Sequence, residues 1–365
     1  MKKTIITGIS CLALAIAACK KDKGSSNESA TGMVSAGVTF SMVLKPDKTL
    51  WASGYNGYGN LGDGSFTNRN APVKIADNVS FISAGAAHGL FIKTDNSCWA
   101  TGYNSQGQLG DGSTTNRSIP VKIMDNTRMA AGGEEFSLFV KTDNTLWATG
   151  LNSDGQLGDG TTVSKTIPVK IMENVKTVAA GWQFSLILKT DNTLWATGAN
   201  DGMLGDGTRI SKKTPVKIMD NVSAISAGAA HSLLLKTDNT LWATGYSDYG
   251  QLGDGTLTGK ISFFKLMDNV KAITACAAVS LVIKNDNTLW ASGYNKYGQL
   301  ADGTTVNKNT FLKIMDNVQF AAGSETFTIV MKTDNSVWTA GRNEQGQLGD
   351  GTNTNRMSFV KMYLP

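Results

Sequence analysis

Residues 147–161, W-A-T-G-L-N-S-D-G-Q-L-G-D-G-T, decide how this chain folds, because close copies of the stretch recur along the sequence. Its tryptophan has a counterpart every 47 or 48 residues, at Trp51, Trp99, Trp147, Trp195, Trp242, Trp290 and Trp338. Self-similarity at a period of this length is typical of proteins built from structural repeats. Seven repeats therefore account for residues 33–365.

Each repeat contains four short apolar runs separated by turn signals, and none carries a helical period. We name the runs strands A, B, C and D. Around the fourth tryptophan, strands A, B and C correspond to residues 177–180, 184–189 and 193–197. Strand D is represented by its counterpart in the preceding copy, residues 168–171. Asp-Asn pairs join B to C and D to A, as expected of tight turns. Four antiparallel strands repeated seven times predict an all-β, seven-bladed β-propeller. We also expect the C-terminal residues 359–363 to complete the first blade.

The N-terminal residues lie outside the repeats and have the pattern of a targeting segment. Lys2 and Lys3 precede an apolar run that ends in Ile16-Ala17-Ala18-Cys19. The run is too short for a stable membrane span and has the layout of a secretory signal peptide. Its end resembles the bacterial lipobox, which implies cleavage before Cys19 and a lipid on that sulfur.

We therefore expect a signal peptide over residues 1–18, a lipidated Cys19 with a flexible polar tether over 19–32, and the propeller over 33–365. The protein is predicted to lie in the cell envelope, with the outer membrane as the expected anchor site and the lipid as its only membrane contact. An ordinary cleaved signal peptide is the alternative.

Composition argues against several kinds of function. Removing Lys2 and Lys3 lowers the formal net charge from +5 to +3, which does not call for a nucleic-acid partner. The chain has only 2 histidines, so metal or acid–base chemistry has little material. We expect no metal, no cofactor and a monomer. Cys98 and Cys276 are poor material for a disulfide framework and are predicted to be buried.

The unit G-x-N-x-x-G-Q-L-G-D-G-T, with the preceding tryptophan and the A-A-G-x-x-x-S segment, resembles the regulator-of-chromosome-condensation repeat across residues 33–365. Gln-Leu recurs in five copies, while Asn60 and Met203 depart from it. The resemblance implies a seven-bladed propeller that serves as a protein-binding platform. The family's founding member exchanges nucleotide on a GTPase at chromatin, a partner that an exported protein does not meet. An exported bacterial relative inhibits β-lactamases through a loop-rich face, which is an analogy of fold alone.

Comparison among the seven copies separates structural from functional positions. The aspartate of Gly-Asp-Gly recurs in every copy, at Asp63, Asp111, Asp159, Asp206, Asp254, Asp302 and Asp350. A position that every blade needs serves the fold, so we interpret the motif as a turn whose carboxylate accepts hydrogen bonds from loop amides. A phosphate loop would need a following helix, and none is predicted.

The positions that differ lie mostly in the A–B and C–D connections, which alternating strand direction places on one face. Blades five, six, seven, one and two are neighbours in a closed ring, so we expect an arc of aromatic and cationic side chains. Its members are Tyr55, Tyr58, Tyr103, Tyr246, Tyr249, Tyr294, Tyr297 and Arg342. Tyrosine and arginine are enriched in binding hot spots. Trp182, which lies outside the repeat register, belongs to the same face.

Other polar residues have alternative interpretations. Glu134, Glu135 and Glu325 also lie on the variable face, either as binding residues or as solvated charges. His88 and His231 replace a phenylalanine of strand B and are expected to pack in the core. A cation also recurs in every copy, and it could pair with its own loop carboxylate or bind a polyanion: Arg69, Arg117, Lys165, Lys212, Lys260, Lys308 and Arg356.

Two function hypotheses follow. The first is a lipid-anchored binding module that presents the tyrosine-rich face to a protein or glycan. The second is an envelope hydrolase that pairs Glu134 or Glu135 with Glu325 across the central pore. The first is favoured, because no nucleophile–base set accompanies the carboxylates.

Overall fold

The computed structural model describes residues 32–365. Within this range it has 28 β-strands in seven four-stranded antiparallel sheets, which confirms the predicted propeller. The predicted signal peptide, Cys19 and the tether up to residue 31 lie outside the described residues and stay predictions. In the described range, no helix has the length and apolar character needed to cross a membrane.

The first four blades each take four consecutive strands. Blade 1 contains β1 (Met33–Ala36), β2 (Phe40–Leu44), β3 (Leu50–Gly54) and β4 (Arg69–Ala76). Blade 2 contains β5 (Val79–Ala84), β6 (His88–Lys93), β7 (Cys98–Gly102) and β8 (Arg117–Met124). Blade 3 contains β9 (Thr127–Gly132), β10 (Phe136–Lys141), β11 (Leu146–Gly150) and β12 (Lys165–Met172). Blade 4 contains β13 (Val175–Ala180), β14 (Phe184–Lys189), β15 (Leu194–Gly198) and β16 (Lys212–Met219).

The remaining blades follow the same order. Blade 5 contains β17 (Val222–Ala227), β18 (His231–Lys236), β19 (Leu241–Gly245) and β20 (Lys260–Met267). Blade 6 contains β21 (Val270–Cys276), β22 (Val279–Lys284), β23 (Leu289–Gly293) and β24 (Lys308–Met315). Blade 7 contains β25 (Val318–Gly323), β26 (Phe327–Lys332), β27 (Val337–Gly341) and β28 (Arg356–Lys361).

The Asp-Asn pairs form the predicted turns. In the B–C turn of blade 3, Asp143 Oδ1 accepts hydrogen bonds from the amide and hydroxyl of Thr145, at 2.9 and 2.7 Å. Asn144 between them has a φ of 64°, the left-handed region that asparagine tolerates. The same Thr145 hydroxyl accepts the indole N–H of Trp147 at 2.9 Å, so the turn also positions the repeat tryptophan.

The core lies mainly between neighbouring blades. Strand B is the most buried strand, and Phe136 is wholly buried. The repeat tryptophans pack against the preceding blade, as Trp147 does against a cluster that contains Leu90 and Leu109 of blade 2. Buried hydroxyls link the same junctions, since Ser137 Oγ donates to the carbonyl of Gln108 at 2.7 Å. Each blade therefore buries its apolar faces only against its neighbours.

The ring closes without an exchanged strand, so the expectation that residues 359–363 complete the first blade is wrong. Arg356 pairs with Gly341 and Lys361 with Trp338, which makes β28 the outer strand of blade 7. The C–D loop folds back on its own blade and delivers strand D beside strand C. Closure instead uses apolar packing of Val34 and Ala36 against blade 7, and a 2.9 Å bond from Ser41 Oγ to the carbonyl of Gln347.

The connections separate onto two faces as predicted. On one face the C–D loop begins against the A–B loop, since the Leu151 amide donates to the Glu135 carbonyl at 2.8 Å. On the other, the Thr142 amide of a B–C turn donates to the Asn126 carbonyl of a D–A turn at 2.8 Å. We call the face with the A–B and C–D loops the loop face, and the face with the B–C and D–A turns the turn face.

Candidate functional site

The Gly-Asp-Gly motif on the loop face is a closed structural network. Asp111 Oδ1 accepts from the Ser113 amide at 3.0 Å and from Asn104 Nδ2 at 3.1 Å, while Oδ2 accepts from Arg117 Nε at 2.7 Å. Burial alone would raise the pKa of Asp111, but the hydrogen bonds from Ser113 and Arg117 outweigh it and lower the pKa. These contacts confirm the motif as a turn.

The recurring cations are part of the same network. In every blade the cation forms an ion pair with the aspartate of its own loop, between 2.6 and 3.3 Å. The pair in the stretch that opened the sequence analysis joins Lys165 and Asp159. The interpretation as internal pairs is thus supported over the polyanion ring, because each cation already has an anionic partner.

Two cavities open on the loop face. Each lies over at least one blade whose A–B loop carries a pair of alanines. The larger cavity, about 690 Å³, lies over Ala229-Ala230 and Ala277-Ala278 of blades 5 and 6. The smaller cavity, about 320 Å³, lies over Ala86-Ala87 of blade 2. Alanine leaves space that the glutamates or tryptophan of other A–B loops would fill. The predicted arc is thereby divided into two separate clusters.

The larger cavity gathers aromatic residues from blades 4, 5 and 6. Trp182 packs against Ala229 and Ala277, and its buried indole N–H has no acceptor among residues 32–365. The rings of Tyr249 and Tyr294 lie with their centroids 4.8 Å apart. Burial, with neighbouring Tyr297 and Glu325, raises the pKa of Tyr294 to about 12, so its phenol is neutral at physiological pH. The cavity thus combines aromatic and alanine side chains with polar groups, as binding sites do.

Tyr246 is held in the larger cavity by a side-chain network. Its hydroxyl donates to Asp201, which also forms an ion pair with Arg209. The hydrogen bonds from Tyr246 and Arg209 lower the pKa of Asp201. This phenol is therefore already bonded within the protein, which orients the ring.

Acidic groups complete the lining of the larger cavity. Asp201, Asp248 and Glu325 all contribute to its walls. The main-chain carbonyl of Glu325 accepts a hydrogen bond from Gln299 Nε2, which fixes this A–B loop.

Tyr297 and Arg342 lie beside the larger cavity rather than in its lining. The guanidinium of Arg342 lies 5.3 Å from the centroid of Tyr297 and forms an ion pair with Glu344. Two residues of the predicted arc are therefore engaged with each other. They can still contact a partner at the rim.

The smaller cavity brings together the other three tyrosines and two glutamates of the predicted set. Tyr58 is the central ring, 5.7 Å from the centroid of Tyr55 and 4.8 Å from that of Tyr103. Glu134 and Glu135 also line this cavity. Burial, followed by the charge of Glu135, raises the pKa of Glu134 to about 8; burial also raises the pKa of Glu135. Glu325 lines the other cavity, so the structure does not gather the three glutamates in one cavity.

Some lining residues were not singled out by comparing the copies. Asp201 and Asp248 lie in the C–D loops of blades 4 and 5, at or next to the position that holds Tyr58 in blade 1. The alanine pairs were visible as differing positions, but a small side chain does not by itself indicate a cavity. The occurrence of two such pairs on consecutive blades, 5 and 6, was the available signal.

The remaining candidates belong to the core. His88 and His231 are fully buried, each with Nε2 bonded to a serine hydroxyl, and burial lowers the pKa of each to about 4. Burial raises the pKa of the Cys98 thiol to about 12, and that of Cys276 is raised too. The predicted core positions are confirmed. Residues 32–365 contain no group of three His, Cys, Asp or Glu side chains placed to hold a metal ion.

The repeat geometry agrees with comparisons to known families. A family model described as the RCC1-like domain matches residues 127–363. The chain belongs to the RCC1-like domain family. Two further models of the regulator of chromosome condensation (RCC1) repeat match residues 95–140 and 79–108 of this RCC1-like chain. No curated protein matches the sequence.

Solved structures share the RCC1-like fold. Human WBSCR16 is 18% identical with a TM-score of 0.76, and the match covers 87% of this chain and 94% of that chain. Prp20p from Saccharomyces cerevisiae is 20% identical with a TM-score of 0.76, over 86% and 85% of the two chains. Yeast RCC1 (Prp20), solved with Kap60 bound to it, is 19% identical with a TM-score of 0.77, over 86% and 83%. At these identities the likeness concerns the fold alone.

Proposed function

We propose that this chain is a binding module whose loop face captures a protein partner through the two tyrosine-lined cavities. The observation that carries the proposal is the clustering of seven tyrosines and Trp182 around cavities on one face. Tyr58 and Tyr249 keep 37% and 44% of their surface exposed, although each packs against another ring. Exposed aromatic clusters beside small polar groups are typical of interface hot spots.

Family membership is consistent with this role. RCC1-like propellers are typically protein-interaction scaffolds. The yeast relative is described with Kap60 bound to it, and Prp20p with binding properties to Gsp1p and histones. We do not transfer those partners, because at 19% and 20% identity the likeness concerns the fold alone. A glycan is the alternative ligand for the same aromatic surfaces.

We propose binding rather than hydrolysis as the role of the face carboxylates. Glu134 and Glu135 line the smaller cavity and Glu325 the larger one, so neither cavity brings together the glutamates that the hydrolase hypothesis pairs.

We further propose that the protein is anchored in the cell envelope through a lipid on Cys19. The described part of the chain enters at β1, where Met33 pairs with Leu44 next to the turn face. A tether attached there would leave the loop face directed away from the anchor. Metabolic labelling with an alkyne fatty acid tests this proposal: the full chain should be labelled and its Cys19→Ser variant unlabelled. Equal labelling of both would contradict lipidation at Cys19.

The binding role is tested by cross-linking capture from envelope extract with three versions of the full chain. The face variant carries Tyr58→Ala and Tyr249→Ala. The control variant carries Tyr363→Ala, which removes a tyrosine that is 72% exposed near Lys45 and Asp334 on the turn-face side. We expect the wild type and the control to capture the same partner and the face variant to lose it. Retention of that partner by a folded face variant would contradict the proposal.

A further inference from the structure

The smaller cavity lies at the junction of blades 1 and 2, where the repeat is broken at two facing positions. At four other junctions a strand B serine donates to the carbonyl of the Gln-Leu glutamine, as Ser185 does to Gln156 at 2.7 Å. Here the serine is replaced by Gly89 and the glutamine by Asn60. This junction therefore lacks the hydroxyl bridge that those four have.

The substitution at Asn60 leaves a buried acceptor without a donor. Gln108, the equivalent residue of blade 2, accepts the Gln106 amide on its Oε1 at 3.0 Å. The shorter Asn60 instead donates its Nδ2 to the Tyr55 carbonyl at 2.6 Å, which identifies the other amide atom as oxygen. Asn60 is 1% exposed, lines the cavity, and its Oδ1 has no partner among the described residues. Buried polar atoms are rarely left unsatisfied in folded proteins.

Two carboxylates of the same cavity also lack partners. In the described part of the chain, neither Glu134 nor Glu135 forms an ion pair or side-chain hydrogen bond, although both are half-buried. The recurring cations nearby cannot compensate, because Arg69 and Arg117 are held by Asp63 and Asp111. The cavity therefore presents an unpaired amide oxygen and two carboxyl groups that a bound cation would ionise, and among the described residues no cation pairs with these carboxyl groups.

The walls suit an organic cation better than a metal ion. The rings of Tyr55 and Tyr58 lie edge to face and those of Tyr58 and Tyr103 lie tilted, with centroids 5.7 and 4.8 Å apart, so they supply π-faces rather than oxygen ligands. Aromatic faces combined with carboxylates attract ammonium and guanidinium groups. A volume of about 320 Å³ admits one long side chain.

We propose that the smaller cavity receives the guanidinium or ammonium group of an arginine or lysine side chain of the protein partner. The cationic head would lie between Glu134, Glu135 and Asn60 Oδ1, and its aliphatic stem along the tyrosine rings. This inference rests on the proposed binding function of the loop face and names the partner group that one half of it recognises.

The test is an NMR titration of the folded chain with two capped tripeptides, acetyl-Gly-Arg-Gly-amide and its citrulline counterpart. Citrulline keeps the shape of the side chain and removes its charge. We expect saturable shift changes around Tyr58 and Glu134 with the arginine peptide, and about tenfold weaker or no binding with the citrulline peptide. Equal binding of both peptides, or no binding of the arginine peptide, would overturn the proposal.

Variants make the assignment specific to the cavity. The double variant Glu134→Gln, Glu135→Gln should weaken arginine-peptide binding about tenfold. Glu173→Gln, at an exposed turn-face glutamate paired with Lys170, should leave it unchanged. If the double variant does not fold, Asn60→Gln provides a second test: it restores the repeat residue, removes the free oxygen and should weaken binding several-fold. Variants that bind the peptide as the wild type does would overturn the proposal.

A calcium titration tests the alternative explanation that the two glutamates form a metal site. Saturable binding of calcium chloride at Glu134 and Glu135, with no response to the arginine peptide, would identify a metal site and overturn the proposal. If the peptide does not bind but the face variant still loses the cross-linked partner, this inference fails while the proposed binding function stands.

Discussion

The two faces of the propeller are made by the same seven repeats, yet they differ in how far the repeats agree. On the turn face, asparagine adopts the left-handed conformation in every B–C and D–A turn except the first, where Lys48 stands. On the loop face, the Gly-Asp-Gly turns repeat while the residues around them change from blade to blade. Positions that repeat are used by the fold, and positions that vary are available to a ligand.

The loop face itself contains both kinds of position side by side. Asp111 and Arg117 are satisfied by each other and by Ser113, whereas Glu134 of the next blade has no partner in residues 32–365. The hydrogen-bond network lowers the pKa of Asp111, whereas burial without a partner raises the pKa of Glu134. The direction of the shift therefore separates Asp111, which the fold uses, from Glu134, which lines a cavity.

The sharpest contrast is between a repeated and a varying aromatic residue. Trp147→Ala should lower the free energy of unfolding by about 3 kcal/mol, because it removes packing between blades and a hydrogen bond to Thr145. Tyr249→Ala, at a 44% exposed side chain, should cost about 1 kcal/mol or less. Urea denaturation measures both values. Equal losses would remove the distinction between the two classes.

The buried His88 allows a test of the core role assigned to its position in strand B. Burial lowers the pKa of His88 in the folded protein to about 4, against 6.5 in the unfolded chain. Between these values the unfolded chain binds a proton that the folded chain does not, so the free energy of unfolding decreases as pH falls from 6.5 to 4. His88→Phe, which installs the residue of other blades, should abolish about 2 kcal/mol of that loss between pH 6.5 and 4. The measurement is unfolding free energy against pH. An unchanged pH slope would show that His88 titrates normally in the folded protein.

Glu134 should show the opposite pH dependence. Its pKa of about 8 lies above that of the unfolded chain, so the folded state holds the extra proton and stability falls as pH rises from about 4.5 to 8. After allowance for its partial exposure, Glu134→Gln should stabilise the protein by about 1 kcal/mol at pH 9 and have little effect at pH 4. Glu173→Gln, at a solvent-exposed ion pair, serves as the control. A wild-type Glu134 that stabilises the fold at pH 9 would contradict the assignment.

The smallest effect concerns the one copy whose turn lacks its first glycine. Ala301 has a φ of 57°, a conformation that costs an alanine about 1 kcal/mol. Ala301→Gly should therefore raise the unfolding free energy by about 0.5 kcal/mol, since glycine's freedom in the unfolded chain offsets part of the gain. The reverse change, Gly62→Ala at a φ of 81°, should destabilise. Thermal unfolding of both variants checks that the first is stabilised and the second destabilised.

Much of the fold followed from the sequence because seven copies of one unit constrain each other. The number of blades, the Asp-Asn turns, the loop aspartates and the core role of His88 all came from comparing copies. The closure of the ring did not, because the repeat period is the same whether strand D joins the blade before or after it. Only the pairing of Gly341 with Arg356 distinguishes the two arrangements.

The candidate site was predictable in composition and not in geometry. The tyrosines, Trp182 and the glutamates stood out as differing positions. Their division into two cavities depends on the space left by Ala86-Ala87 and by the alanine pairs of blades 5 and 6. Asn60 looked like a minor departure from the repeat, and its unpartnered oxygen arises from a hydrogen bond to Tyr55 that the sequence does not show.

The central claim, that the loop face binds the partner, is tested most directly by site-specific photo-cross-linking in cells. A photoreactive phenylalanine analogue is placed at position 249 on the loop face or at position 363 near the turn face, each a tyrosine exposed in the wild type. We predict a discrete cross-linked adduct from position 249 and none from position 363. An adduct from position 363 alone would contradict the account.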